Sequence, residues 1–162
     1  MMTSKLRLEW IDPATLDDNP VNWRRHTPAQ RNALKGILSE VGWAGALLYN
    51  EATGHLIDGH LRKEVAAGEP VPVLVGSWTE EQERLILATL DPIAAMAETD
   101  VDRLSEVLDG IGKQGKAVQA VIDRLATSNY LGEPPEFKEF DESIADEVEM
   151  IECPECGYKW PK

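Results

Sequence analysis

The sequence predicts an α+β fold: a small, mixed, partly antiparallel sheet with flanking helices, then a short helical segment and an acidic tail. Three observations predict it. Short strand-like and helix-like runs alternate over the first 95 residues in the order β–α–β–β–α–β–α. Two of the strand-like runs are joined by the turn Asn50–Gly54, which makes that pair a hairpin. Beyond residue 100 the strand signals stop, and two helical runs lead into Pro- and acid-rich text.

Taken in order, Leu6–Ile11 alternates and contains Trp10, as a first strand should, and Asp12-Pro13 ends it. The stretch DDNPVNWRRHTP is a loop punctuated by Asn19-Pro20 and Pro28. Thr27 caps a helix with Pro28 at its first position, and Leu34, Ile37, Leu38 and Val41 give it an apolar face up to Gly42. Ala46–Tyr49 and His55–Ile57 form the hairpin strands. Asp58-Gly59 leads into a helix over Leu61–Ala67, stopped by Gly68 and Pro70. Val71–Val75 is a strand that Pro72 places at a sheet edge, because proline cannot donate to a neighbour. Thr79 and Gln82 form a capping box for a helix that runs to Asp91-Pro92. Asp100–Leu108 and Lys116–Ala126 are two further helices, joined by DGIGKQG. The expected organisation is a domain over 5–95, a helical extension over 96–126, an acidic linker over 127–150 and a cysteine-bearing tail over 151–162. Trp10 and Trp43 are expected in or beside the core.

Composition narrows the function classes. With 162 residues the chain can bury a core without disulfides, and no apolar run approaches the ~20 residues of a membrane span. The first residues lack a signal-peptide pattern, so a cytoplasmic protein without membrane partners is expected. Net charge is −13, which argues against strong non-specific nucleic-acid binding. Residues 127–162 hold ten acids against three bases, whereas residues 1–35 hold six bases against four acids. Arg24, Arg25, His26, Arg31 and Lys35 therefore form a local basic group, read either as a phosphate or DNA-backbone contact or as a solvated helix face.

The junction IDGHLRKEVA carries chemistry of its own. A strand runs into Gly59 and a helix starts at once, so unpaired backbone N–H groups face any anion there. Gly59 permits close backbone approach, and His60 and Arg62 add donors, Arg62 with a fork suited to phosphate. Packing plus a surface charge is the plain alternative.

The ordered set Asn19-Pro20-x-Asn22-x-Arg24-x-His26-x-Pro28, a helix ending in Gly42, a hairpin, and Ile57-Asp58-Gly59-His60-x-Arg62 resembles the ParB/sulfiredoxin-like superfamily. It is most similar to the ParB-like domains of phages and of DNA-methyltransferase systems, where the loop tends to read NPRNARTHSPEQ and the junction AGHGR or DGHLR. LATLDP at Leu87–Pro92 falls where those relatives end their last shared helix. The resemblance covers residues 5–95. It implies a nucleotide site in which Gly59, His60 and Arg62 meet the phosphates, with Arg24 and Asp58 at the same pocket. The implied ligand is CTP or ATP with Mg2+, and DNA is the implied further partner, met directly or through a DNA enzyme, with a homodimer as a natural assembly.

Three departures from the family pattern bear on function. Where sulfiredoxin has its catalytic cysteine this chain has His60 and Leu61, so sulfinic-acid reduction is not expected. The helices after residue 100 are acidic or mixed, with no basic recognition helix. No Glu-Asn-x-x-Arg motif occurs near Thr89–Asp91, which leaves Asp58 and Asp91 as the substitutes for a metal-binding half. No Asp-Pro-Pro-Tyr motif occurs either, so the chain is not itself a methyltransferase.

Trp23, beside Arg24, is read either as a base-stacking ring or as packing. Cys153-Pro154-Glu155-Cys156-Gly157 has the spacing of one knuckle of a zinc ribbon, half of a tetrahedral Zn2+ site with Cys153 and Cys156 as ligands. Three functions follow as alternatives: a nucleotide-binding or NTP-hydrolysing ParB-like protein in DNA modification, segregation or defence of a phage or mobile element; a non-enzymatic adaptor that docks a DNA methyltransferase or other DNA enzyme through its tail; or a metal-dependent nuclease using Asp58, Asp91 and the Glu80, Glu81 and Glu83 group.

Overall fold

The computed structural model describes residues 5–66, 68–131 and 149–162. It divides into two compact units, Met1–Gly132 and Glu133–Lys162. Most of the acidic linker expected over 127–150 lies outside the described residues; its first two positions belong to the helix that ends at Ser128.

The sheet of the first unit has four strands: β1 (Arg7–Ile11), β2 (Leu47–Asn50), β3 (His55–Asp58) and β4 (Val71–Gly76), in the spatial order β1-β4-β2-β3. β1 and β4 are antiparallel, β4 and β2 parallel, and β2 and β3 antiparallel, so the sheet is mixed as expected. Helices α1 (Pro28–Val41), α2 (His60–Val65), α3 (Glu80–Ala95), α4 (Val101–Asp109) and α5 (Lys116–Ser128) complete the unit. The result is an α+β fold.

Local chemistry explains most boundaries. Thr27 accepts a hydrogen bond from the Gln30 amide at 3.2 Å, Pro28 opens α1, and Gly42 closes it with φ +73. The Thr79–Gln82 capping box is reciprocal, as the sequence spells it. The core is aliphatic: Leu47, Leu56, Val71, Val73 and Val75 are at most 2% exposed, and Leu16 and Ala66 join them. Burying each of the larger side chains contributes about 1.5–3 kcal/mol, and truncating Leu47 to Ala would cost about 2–5 kcal/mol. Ile11, Trp43 and Tyr49 pack against this cluster.

Three expectations are corrected. β4 is a central strand and not an edge. β2 begins to pair with it only at Val73, so the N–H that Pro72 lacks is missed by no neighbour. α3 continues through Pro92 to Ala95, because a proline there removes one donor, to Ala88, and the exposed last turn tolerates the loss. Trp10 is 62% exposed, since β1 is an edge strand and Trp10 lies on its open face. α2 also starts one residue earlier than the sequence indicates, at His60.

α5 packs on α1 within the first unit. A side-chain carbon at Gly36 of α1 would lie 2.7 Å from Val118 Cγ2 of α5, so the glycine permits the close crossing. In the second unit β5 (Met150–Glu152) and β6 (Lys159–Pro161) form an antiparallel hairpin around the two cysteines. No helix among the described residues is long and apolar enough to cross a membrane.

Candidate functional site

The loop before α1 is fixed by its asparagines. Asn19 Oδ1 accepts from the Val21 amide at 3.1 Å, and Asn22 Oδ1 accepts from the Arg24 amide at 3.2 Å. These side-chain turns curl the loop and deliver Arg24 beside the junction between β3 and α2. The loop is tied to that junction by the Asn19 amide, which donates to His60 Nε2 at 3.3 Å. His60 is 7% exposed, and burial pushes its pKa below the ordinary histidine value. It is therefore neutral, with Nε2 as acceptor and the proton on Nδ1.

Gly59 has φ +96, and a Cβ there would lie 2.6 Å from Leu47 Cγ and 3.2 Å from Leu47 Cα. The close approach that the glycine allows is to β2 of its own sheet. α2 has six residues, too few for a sizeable helix dipole, so attraction of an anion falls on side chains.

A cleft of about 990 Å³ opens where these elements meet α1 and α5. This matches the upper range of small-ligand pockets. All five residues that the sequence assigned to a nucleotide, Arg24, Asp58, Gly59, His60 and Arg62, line it, together with Asp91. The α5 face Ala117, Ala120, Val121 and Arg124 supplies another wall. Sequence reasoning missed Arg124, although its spacing of seven from Ala117 places it on the same helical face.

Among the expected cleft residues, Arg24 is the one whose charge is least completely paired. Its side chain is 15% exposed, and Nε stands 2.7 Å from Asp91 Oδ2. That contact is an ion pair without hydrogen-bond alignment: among the described residues Nε and Nη2 are buried with no hydrogen-bond partner. The guanidinium carbon lies 5.0 Å from the centroid of the Trp23 ring, so the ring's face is given to Arg24. Trp23 Nε1 donates to the Leu87 carbonyl at 3.3 Å, which anchors that ring to α3. Arg62 pairs with Asp58 at 3.3 Å, both about one-third exposed. Of the other basic residues, Arg31 pairs with Glu64 at 2.6 Å, and Arg25 and Lys35 are exposed.

The carboxylates do not converge. Asp58 and Asp91 each face an arginine, Glu80 pairs with Arg84, and Glu83 is buried elsewhere. Among the described residues no three His, Cys, Asp or Glu side chains form a group that could hold a metal ion. Glu83 is 3% exposed and accepts from Asn19 Nδ2 and Asn50 Nδ2, each at 2.7 Å, and from the Thr53 hydroxyl, with His55 Nδ1 at 3.5 Å. Burial raises its pKa, but these donors outweigh burial and hold the carboxyl below the usual range.

The solved structure of the C-terminally truncated chromosome-partitioning protein ParB from Caulobacter crescentus, complexed with CTP-γ-S, superposes on this architecture with a TM-score of 0.51. The fold is ParB-like. The likeness extends over 65% of this chain and 61% of that one, at 18% sequence identity. A Pnob8-like ParB-N domain in its C2221 form aligns over 99% of this chain and 59% of its own, at 16% identity and a TM-score of 0.46. The chain thus spans about three fifths of the length of these two chains. No family model matches the sequence. No curated protein matches it either.

Proposed function

We propose that this ParB-like chain binds a nucleoside triphosphate in the Arg24–Arg62 cleft and serves as a nucleotide-dependent module in DNA transactions. The observation that carries this reading is Arg24. A cation that is mostly buried, with two nitrogens lacking hydrogen bonds, is costly unless a ligand completes it. A phosphate is the natural complement of a guanidinium fork, and Arg62 and Arg124 line the same cleft. The ParB solved with CTP-γ-S, which shares the fold, supports a cytidine or other nucleoside triphosphate as the ligand. The motif resemblance supports a DNA-modification, segregation or defence setting in a phage or mobile element.

The residues present do not fit a ready-made magnesium site, because Asp58 and Asp91 are each compensated by an arginine. Binding is therefore the activity proposed, and no hydrolytic step is assigned. The dispersed carboxylates weigh against the nuclease alternative for the same reason.

Thermal melting of the purified chain with CTP, ATP, GTP and UTP, each with and without magnesium, tests the proposal. At ligand about 100-fold above its dissociation constant, stabilisation should approach about 2.7 kcal/mol. The expected result is a shift with at least one nucleotide that Arg24→Ala removes. Unchanged melting with all four would overturn the reading.

A further inference from the structure

We propose that β1 is a docking edge for a second copy of this chain, the two β1 strands pairing antiparallel about a two-fold axis so that two four-stranded sheets become one. The backbone of β1 is turned the right way for it. The Glu51 amide donates to the Gly76 carbonyl at 2.9 Å, so Gly76 faces β2, and by alternation Leu74 and Pro72 face the same way. Val71, Val73 and Val75 therefore face β1, where they stand opposite Ile11, Glu9 and Arg7 and bond to them. The N–H and C=O groups of Leu8 and Trp10, and of Leu6 just before the strand, are left pointing away from the sheet. No other strand among the described residues covers that edge.

An unpaired edge is a template for another strand, and charged side chains usually guard it. Here Arg7 and Glu9 do the reverse in one register. With Leu8 opposite the partner's Leu8, Arg7 stands opposite the partner's Glu9 and Glu9 opposite the partner's Arg7, while Leu6 meets the partner's Trp10. All three outward-facing residues then have a bonding partner. Centring the axis on Arg7 or on Glu9 instead sets like charges face to face, so the segment Leu6–Trp10 selects its own register. Arg7 also donates to Glu9 and Glu51 of its own chain, yet Arg7 and Glu9 both stay about half exposed and open to a partner. The side chains of Leu6, Leu8 and Trp10 share one face and are 49%, 61% and 62% exposed. Leu8 stands opposite Leu74, and Leu74 opposite Leu48, so pairing two copies joins two apolar rows into one. A five-residue edge covers less than the about 800 Å² per partner of a standard interface, so the dimer is weak and its population depends on concentration.

The test is sedimentation equilibrium of the full, reduced chain from about 1 µM to 1 mM. Salt at about 0.15 M screens the net charge of −13 beyond about 8 Å and leaves adjacent side chains to pair. The expected result is a mass that rises with concentration from one chain towards two. Glu9→Arg alone, or Arg7→Glu alone, sets like charges opposite and should weaken the dimer by about ten-fold or more. Mixing these two variants in equal amounts pairs opposite charges on both sides of the axis and should restore it, while far-UV circular dichroism of each variant matches the parent. A parent that stays monomeric throughout would overturn the proposal. So would single variants that dimerise like the parent, or a mixture that gains nothing over its parts.

Discussion

Glu83 and Arg24 are both charged, both largely buried and both joined to the Asn19–Arg24 loop or its neighbours, yet they are treated oppositely by the fold. Glu83 receives hydrogen bonds from Asn19, Asn50 and Thr53 and stands beside His55. Its charge is answered from within, and the group acts as a rivet joining the loop, the β2–β3 turn and α3. Arg24 has an ion pair with a half-exposed carboxylate and two nitrogens without hydrogen bonds. A buried charge that the chain satisfies by itself holds structure together, whereas one left half-satisfied in a cleft points outward, to something the chain binds.

Removing the rivet should have the largest effect. Glu83→Ala strands the amides of Asn19 and Asn50, and urea denaturation should show a loss of about 3 kcal/mol in unfolding free energy. A variant as stable as the parent would erase the distinction between the two sites. Acid should act in two stages. His60 has a lowered pKa when folded, so the unfolded chain takes up its proton first, and stability should begin to fall as pH drops below about 6.5. Glu83 is also lowered when folded, so its contribution is complete above about 4.5 and is lost as pH falls beyond that, through the folded value. Urea midpoints from neutral to acid pH read both stages, and His60→Gln should remove the first.

Arg24 should behave in the opposite way. Arg24→Ala should leave the ligand-free chain within about 1 kcal/mol of the parent, because it deletes a poorly compensated buried cation. It should still abolish nucleotide stabilisation. Arg62→Ala, at a more exposed position, should weaken binding by about 1.5 kcal/mol, roughly ten-fold, by calorimetry. The smallest effect belongs to Asp91→Asn. Releasing Arg24 from a competing carboxylate should tighten nucleotide binding by about 0.5–1 kcal/mol. Weaker binding in that variant would mean that Asp91 helps to hold the ligand.

What was legible in the sequence was what local chemistry decides. Thr27-Pro28, Gly42, Thr79-x-x-Gln82 and the Asn50–Gly54 turn each fix a boundary through their own backbone or nearest neighbours, and α1 matches its expected limits. The cleft residues were found because Gly59–Arg62 and Asn19–Arg24 lie in short contiguous motifs. The errors over Pro72 and Trp10 depend on what stands opposite. Whether Pro72 is tolerated depends on where β2 begins to pair, and whether Trp10 is buried depends on a layer that β1 does not have. Glu83 looked like one of several acids in a first helical turn; its partners come from three other parts of the chain. Arg124 and the rest of the α5 wall escaped notice because nothing within α5 says that it returns to α1.

The sheet order has a consequence for how the chain folds. β2 and β3 are joined by a short turn and can pair almost as soon as both exist, on the microsecond scale of a hairpin. Among the described residues β1 has no strand partner but β4, with Arg7 opposite Val75, and the whole of α1, the hairpin and α2 lies between them. During synthesis β1, which emerges before the other three strands of this sheet, must therefore wait, its alternating Leu8 and Trp10 unpaired, until Gly76 has emerged. Within this sheet the earliest-made strand is the last to be seated, and the slow step of its folding is expected to be the closure of that long loop.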